Sequence, residues 1–517
     1  MKYFAFSSKK AAHLFFIFIG SFLPLTTCFS QGLIPESDKY LREYENEFVL
    51  LEKHNPVFSG YYLTSFERPN LIWNDGARMK WLREHEYKKP YALRTSLQFL
   101  SLRERPAVVG AIGSKEFPVT YSSLLEGSQG IRPRYGENSY ATLDAEASPS
   151  DWSFFKLKIH GGGGFKEPKA WYFVQEFYTE LRLCKLVLSV GRKSIHWGQS
   201  WIGPLLYSDN ARSLDLIELS TIPLEWPGFL NVLGKLKAEV FLSRLDDRRV
   251  PKNDWFAGWR LGLKPSDWFE GNMGMTYEFS GKGMPEIPTS TYLIELLGVR
   301  RSFSSAPNDS SFGMKHVFMG DLRFNLQNIY WPTSIYTEQH LWDCCGDIGL
   351  LIKNTLSYTF GVLTRTSEGA GAHRFHLEYS KTGTSYYFHK LWPSASSNGG
   401  RLAADPLGRD AQGVYFVWEK DFVPRNFELS FSSFWEERGR KGILLQFDEG
   451  GKTPITDYQP DFKHAEKRLG FSAGSKILAA LKTYLDLRGE IVSVHRKENS
   501  DRDTVEWGVF SGVSRNW

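Results

Sequence analysis

The chain is poor in cysteine and, beyond its first thirty residues, has no long apolar run. Four Cys occur in 517 residues, and Cys28 lies in the N-terminal segment, leaving Cys184 and the neighbours Cys344 and Cys345. Three thiols do not make a disulfide framework, and a bridge between adjacent residues is strained. They read as incidental, the alternative being a pairing within the Cys344 and Cys345 loop in an oxidising compartment. A membrane helix needs roughly 20 consecutive apolar residues, so the body of the chain cannot cross a bilayer with helices.

The catalytic signatures are missing as well. There is no phosphate-cradling Gly-x-x-x-x-Gly-Lys-[Ser/Thr], no His-Glu-x-x-His and no Cys-x-x-Cys. The glycine run 161–164 after His160 reads as a hairpin turn. The 12 His are scattered and point to no ligand set. The acidic pairs Asp246-Asp247 and Glu436-Glu437 would face opposite ways on a strand and read as solvated loop ends. The formal charge of +5 includes Lys2, Lys9 and Lys10, so the rest is close to neutral, without the basic patch that nucleic-acid binding requires. No catalytic residue, cofactor or metal site is expected.

What is present points to export and to strands. Lys2, Lys9 and Lys10 precede the short apolar stretch 14–25, interrupted by Gly20 and Pro24, which is the pattern of a signal peptide cut after Ser30. A rival reading makes Leu25-Thr26-Thr27-Cys28 a lipoprotein box, against which stands the bulk of Thr27. Residues 37–53 carry Leu41, Tyr44, Phe48 and Leu51 at helical spacing, and a second helical or loop stretch spans 75–89. The expected organisation is a signal peptide at 1–30, a small helical plug or periplasmic cap at 31–90, and a β-domain at 91–517.

From Tyr91 the period is two. Leu93, Thr95, Leu97 and Phe99 alternate with Arg94, Ser96 and Gln98. Trp171, Phe173, Phe177, Thr179 and Leu181 alternate with Tyr172, Glu176, Tyr178, Glu180 and Arg182. Leu236, Ala238, Val240 and Leu242 oppose Lys235, Lys237, Glu239 and Ser243, and Leu485, Leu487 and Ile491 oppose Asp486, Arg488 and Glu490. With 15% aromatic residues and 46 Gly, this suits an all-β transmembrane antiparallel barrel, the remaining way to span a membrane. Composition alone would equally suit a large soluble all-β protein. There is room for about sixteen to eighteen strands, and Trp517, with Val513 and Val509 on its strand face, supplies the terminal aromatic by which such barrels are recruited for assembly.

The most distinctive stretch is 190–212, in which Gly191-Arg192 leads to Trp197-Gly198 and then Leu205-Leu206-Tyr207-Ser208-Asp209-Asn210-Ala211. It resembles the core motif of the Wzi family of outer-membrane capsule assembly proteins. Asn74-Asp75-Gly76-Ala77 and the block from Arg134-Tyr135-Gly136 to Leu143-Asp144 are similar to that family's early blocks, and Asp405-Pro406-Leu407-Gly408-Arg409-Asp410 to its late one. Gln199-Ser200 replaces a frequent Pro-Gly, and Arg409 a common His. The resemblance implies a barrel of about eighteen strands, closed on its periplasmic side by N-terminal helices. It also implies a lectin that anchors capsular polysaccharide in the outer membrane, with membrane lipid and the barrel assembly machinery as further partners. In that role Trp197 and Trp201 would offer stacking faces, and Asp209, Asn210 and Arg212 hydrogen bonds. The competing structural account has the two Trp packing in a girdle or lumen and Asn210 and Arg212 pinning a turn. The competing function is a porin-like channel, motivated by the charged lumen candidates Lys482, Arg488 and Glu490. An outer-membrane hydrolase would be a third, which would need a nucleophile.

Overall fold

A computed structural model describes most of residues 91–516. Outside the described residues lie 1–90, Trp517, the connections 103–106, 114–117, 122–135, 165–169, 285–313, 327–330, 343–351, 353–354, 367–372, 387–391, 393–395, 399–400, 423–426, 440–442, 448–453, 459–464, 479–482 and 497–501, and single positions including Asp209. The expected signal peptide, helical cap, terminal aromatic, Cys344 and Cys345 thus fall outside them.

Eighteen staves close into one antiparallel barrel. In chain order they are β1 (Tyr91–Leu102), β2 (Gly136–Ser150), β3 (Ser153–Gly164), β4 (Trp171–Leu183), β5 (Leu186–Lys193), β6 (Leu214–Thr221), β7 (Lys235–Arg244), β8 (Trp255–Ser266) and β9 (Phe269–Phe279). They continue with β10 (Met314–Leu326), β11 (Thr333–Trp342), β12 (Ser357–Arg365), β13 (His373–Lys381), β14 (Ala411–Phe422), β15 (Phe427–Arg438), β16 (Glu466–Leu478), β17 (Thr483–His495) and β18 (Thr504–Asn516). Each pairs with its sequence neighbours, and β1 pairs with β18, so no edge is left open. The sixth stave is interrupted at Pro223, which has no N–H to give a neighbour, and resumes at Leu224–Glu225 against β7.

Burial runs opposite to that of a soluble barrel. On β16 and β17 Leu469, Phe471, Ile477, Leu485, Leu487 and Ile491 are among the exposed positions, while Glu466, Arg468 and Glu490 are buried. The same inversion holds on β7, whose Lys237, Glu239 and Ser243 point inward. A face of exposed aliphatic and aromatic side chains around a charged lumen is the signature of strands solvated by lipid. The lumen tolerates its charges because they are paired: Lys193 lies 2.9 Å from Glu180 and 2.8 Å from Glu218, Arg260 2.6 Å from Asp321, and Arg468 2.7 Å from Glu466. Arg488 and Glu490 form such a pair at 3.5 Å, and Lys482 lies outside the described residues. Glu436 is no solvated loop end. It is fully buried on the inward face of β15, 2.8 Å from Arg438.

The two rims differ. Between β2 and β3, β4 and β5, and β8 and β9 the chain turns tightly, with exposed Trp152 and Trp268 at the bends. At the other rim the connections are long, among them 194–213 and 382–410. Short turns face the periplasm and long loops the exterior in barrels of this kind, and Trp at the turn rim suits the membrane interface.

Two local expectations fail, for identifiable reasons. Residues 161–164 are the end of β3 rather than a turn. On β4, Lys158 opposes Glu176 and Ile159 opposes Val174, leaving Gln175 as an extra residue in a bulge. One inserted residue exchanges inside for outside. Phe177, Thr179 and Leu181 therefore face the lipid, whereas Trp171 and Phe173, expected on that same face, point into the lumen opposite Gly162 and His160.

The lipid-facing assignment predicts that Leu487→Arg, near mid-strand at 55% exposure, costs about 2–4 kcal/mol. Reversible urea unfolding in lipid vesicles measures this, and an unchanged unfolding free energy would place that face in water.

Candidate functional site

The connection 194–213 leaves β5, folds into the lumen and returns to β6. Trp197 donates its backbone N–H to the Tyr207 carbonyl at 2.9 Å, which makes the segment a hairpin-like unit. Ile195, Trp197, Leu205, Leu206, Tyr207 and Ala211 form an apolar cluster with Phe241, Phe256, Val317 and Met319 of the barrel wall. A small hydrophobic core thus sits inside a lumen that holds many charged side chains. Trp197 is 1% exposed. Its ring meets Phe241 edge-on at 5.1 Å, and its indole N–H donates to Glu239 at 2.7 Å.

The tip of the segment is held by carboxylates. Glu338 on β11 accepts the backbone N–H of Ser200 and, at 2.8 Å, that of Leu205. Glu378 on β13 accepts the Ser200 hydroxyl at 2.7 Å, the Trp201 N–H at 2.9 Å and the Tyr336 hydroxyl. Neither carboxylate has a Lys or Arg partner among the described residues, so peptide N–H groups take the place of a counter-ion. Gly198 is required here. Its φ is +141°, and a Cβ would overlap the Glu338 carboxylate and Pro204. Gln199 and Ser200, the departures from the family pattern, carry side-chain bonds of their own: Gln199 donates to Glu270 at 3.0 Å and Asp321 at 2.7 Å. Beyond them Ile202 packs on Tyr415, Phe434, Val492 and Val494 of β14, β15 and β17. The segment therefore crosses the lumen from β5 to the opposite wall.

The late sequence block docks on the central one. Ser208 donates its N–H to the Ala403 carbonyl at 2.6 Å and its hydroxyl to the Ala404 carbonyl at 2.9 Å. The Asn210 side chain donates to the Leu402 carbonyl at 3.0 Å, and Asn398 donates to the Arg212 carbonyl at 2.9 Å. Gly203 lies so close to Pro406 that a Cβ would overlap it. Asp405 is buried, with its carboxylate capping the Leu407 N–H at 2.8 Å. Burial, reinforced by Glu378 and Glu436 nearby, pushes its carboxyl up to about 8, against the pull of that hydrogen bond and of Arg438. Desolvation draws Arg409 down to about 10, offset by Asp410.

Of the residues singled out in sequence, Trp197 and Asn210 are sealed within this plug, and Asp209 is outside the described residues. Trp201 is half-buried, with His376 edge-on at 5.1 Å. The Arg212 guanidinium lies over the Phe173 ring at 4.8 Å. Glu338 and Glu378 escape sequence reasoning because they occupy ordinary inward positions, indistinguishable by pattern from the ion-paired Glu278. The sequence feature nearest to them is the departure at Gln199 and Ser200, since Ser200 bonds to both.

Two outcomes follow for the plug. A buried hydrogen bond contributes about 0.5–1.5 kcal/mol net, and each Gln replaces an accepting oxygen with a donor, so the Glu338→Gln, Glu378→Gln double variant should raise the open population by about tenfold. Planar-bilayer recordings should show frequent conducting events in the variant against rare ones in the parent; equal conductance would remove the carboxylates from this role. For Asp405, the folded chain keeps between pH 4 and 8 a proton that the unfolded chain has released. Stability should therefore fall as pH rises through that window and level off above it. Asp405→Asn should flatten this slope in urea unfolding at pH 5 and pH 9, and an unchanged slope would assign it elsewhere.

Comparison with known proteins agrees with the fold and with the motif. A family model, capsule assembly protein Wzi, matches residues 114–505. Among solved structures the chain is similar to Wzi of Escherichia coli, an outer-membrane protein involved in group 1 capsule assembly and a carbohydrate-binding β-barrel. The TM-score is 0.67 at 15% identity over 94% of this chain and 99% of that one. It is also similar to OccD3 of Pseudomonas aeruginosa, with TM-score 0.45 at 11% identity over 83% and 92% of the two chains. OccAB4 of Acinetobacter baumannii gives TM-score 0.45 at 8% identity over 83% and 99%. No curated protein sequence matches the chain. The matched model covers the central and late blocks that build the plug, and the chain, an integral outer-membrane barrel, belongs to the Wzi family of capsule assembly proteins.

Proposed function

We propose that this barrel binds a surface, capsular polysaccharide without chemical turnover and helps to attach or assemble it at the cell surface. The observation that carries the reading is the plug: the segment that bears the family motif crosses the lumen and is held by buried carboxylates. It is a fixed platform reached from the long-loop rim, and it stands where a transport channel would need open water. Carbohydrate binding by the Escherichia coli relative supports the same conclusion.

In this reading Trp201, Asp209 and Arg212 meet the sugar, while Trp197 and Asn210 hold the block in shape. Residues 1–30 are a signal peptide, 31–90 a helical cap at the turn rim, and 91–517 the barrel. The outer face contacts membrane lipid, and Trp517 presents the chain to the assembly machinery.

Trp201→Ala removes a stacking surface worth roughly 0.5–1.5 kcal/mol, a loss of about two- to tenfold in affinity. Retention of the native capsular polysaccharide by purified protein measures it, with heat-modifiable gel migration as the check on folding. Asn210→Ala should instead lower barrel stability. Undiminished binding by a well-folded Trp201→Ala protein would move the contact to the loops around 396–410.

A further inference from the structure

The bulge at Gln175 places an aromatic surface inside the barrel, on strands whose inward rows nearer the turn rim are charged. Down the inward face of β2, β3 and β4, Asp144, Lys158 and Glu176 form one cross-strand row. Below it Lys156 bridges Glu146 at 3.1 Å and Glu176 at 3.3 Å. Toward the long-loop rim the next two rows change character: Thr142, His160 and Phe173, then Tyr140, Gly162 and Trp171. Neither row contains an acid. The Trp171 and Phe173 rings lie 5.5 Å apart with their planes 20° from parallel, so they form one continuous apolar surface. Tyr140 flanks Trp171 at 5.8 Å, and His160, fixed by a 2.8 Å hydrogen bond to Thr142, flanks Phe173 at 5.5 Å. Gly162 makes this arrangement achievable, since a Cβ there would overlap both Trp171 and Tyr140. Trp171 and Phe173 remain half-buried. The plug contributes Arg212, whose guanidinium sits 4.8 Å over Phe173.

We propose that this surface is a saccharide subsite, in which Trp171 stacks on the apolar face of a pyranose ring and Arg212 faces an acidic substituent of that unit, as in a uronate. The inference rests on the polysaccharide-binding function and adds to it a place on the barrel wall and a charge preference. The chemistry is that of a small-ligand site: an aromatic floor for area, and a planar cation that recognises a carboxylate. A purely structural cluster would be sealed, or would face the lipid as Phe177 does.

The test uses the full chain in detergent, with end-labelled oligogalacturonate as acidic probe and maltooligosaccharide of equal length as neutral probe, read by fluorescence anisotropy. The parent should prefer the acidic probe. Trp171→Ala should weaken it by about two- to tenfold, Trp171→Phe should restore most of the loss, and Arg212→Gln should abolish the preference with a loss of about tenfold for the acidic probe alone. Heat-modifiable migration selects folded variants. Parental affinity in folded Trp171→Ala or Arg212→Gln, or a parent that prefers the neutral probe, overturns the subsite while leaving the general function standing. A parent that retains native capsule but binds neither probe also overturns it, and one that retains neither capsule nor probe overturns both.

Discussion

Two carboxylates on the barrel wall, Glu338 and Glu378, organise the interior by accepting backbone and hydroxyl protons from one segment. Many other buried charges among the described residues have a side chain of opposite sign beside them. These two are satisfied by a loop, which they hold together with Glu239, Glu270, Asp321 and the carbonyls of 402–404. Removing either side would leave the other with buried polar groups unmet, which costs more than the bond itself is worth. The dependence is mutual, and it turns a connection between neighbouring strands into a structural wall across the barrel.

The family motif acquires a physical meaning from this arrangement. Trp197 spends its indole N–H on Glu239, Gly198 lets the chain pass against a carboxylate, and Ser208 and Asn210 tie the hairpin to the carbonyls of 402–404. The central and late blocks, far apart in sequence, are two halves of one packed object. Binding chemistry then falls to the residues at its margin, Trp201 and Arg212, and to the wall they approach. A site so built gains precision from the rigidity of its support.

Much of the architecture was legible in the sequence. The alternation of Lys235 to Arg244 and of Leu485 to Ile491 located strands, and the lack of apolar helices left a barrel as the way to span a membrane. Alternation has no sign, however, and could not say whether Glu436 faced water outside or a partner inside. Nor could it reveal the bulge, because Gln175 is an ordinary strand residue and the consequence appears only when Ile159 pairs with Val174. The glycines 161–164 read as a turn since turns commonly need such residues; on the strand it is Gly162 whose lack of a side chain makes room, for Trp171 and Tyr140. Of the site, the block was visible but its supports were not, since Glu338 and Glu378 lie on strands more than a hundred residues away.

That separation also orders the chain in time. Ser200 and Glu378 are 178 residues apart, and contacts so distant form late because a long loop must close before any bond rewards it. Strands β11 and β13 must be laid into the wall before the plug has anything to hold, so the segment settles across the lumen only after those supports face it. A barrel of this design is therefore furnished after its walls stand, like a bridge span that can be set only once the far pier has been built.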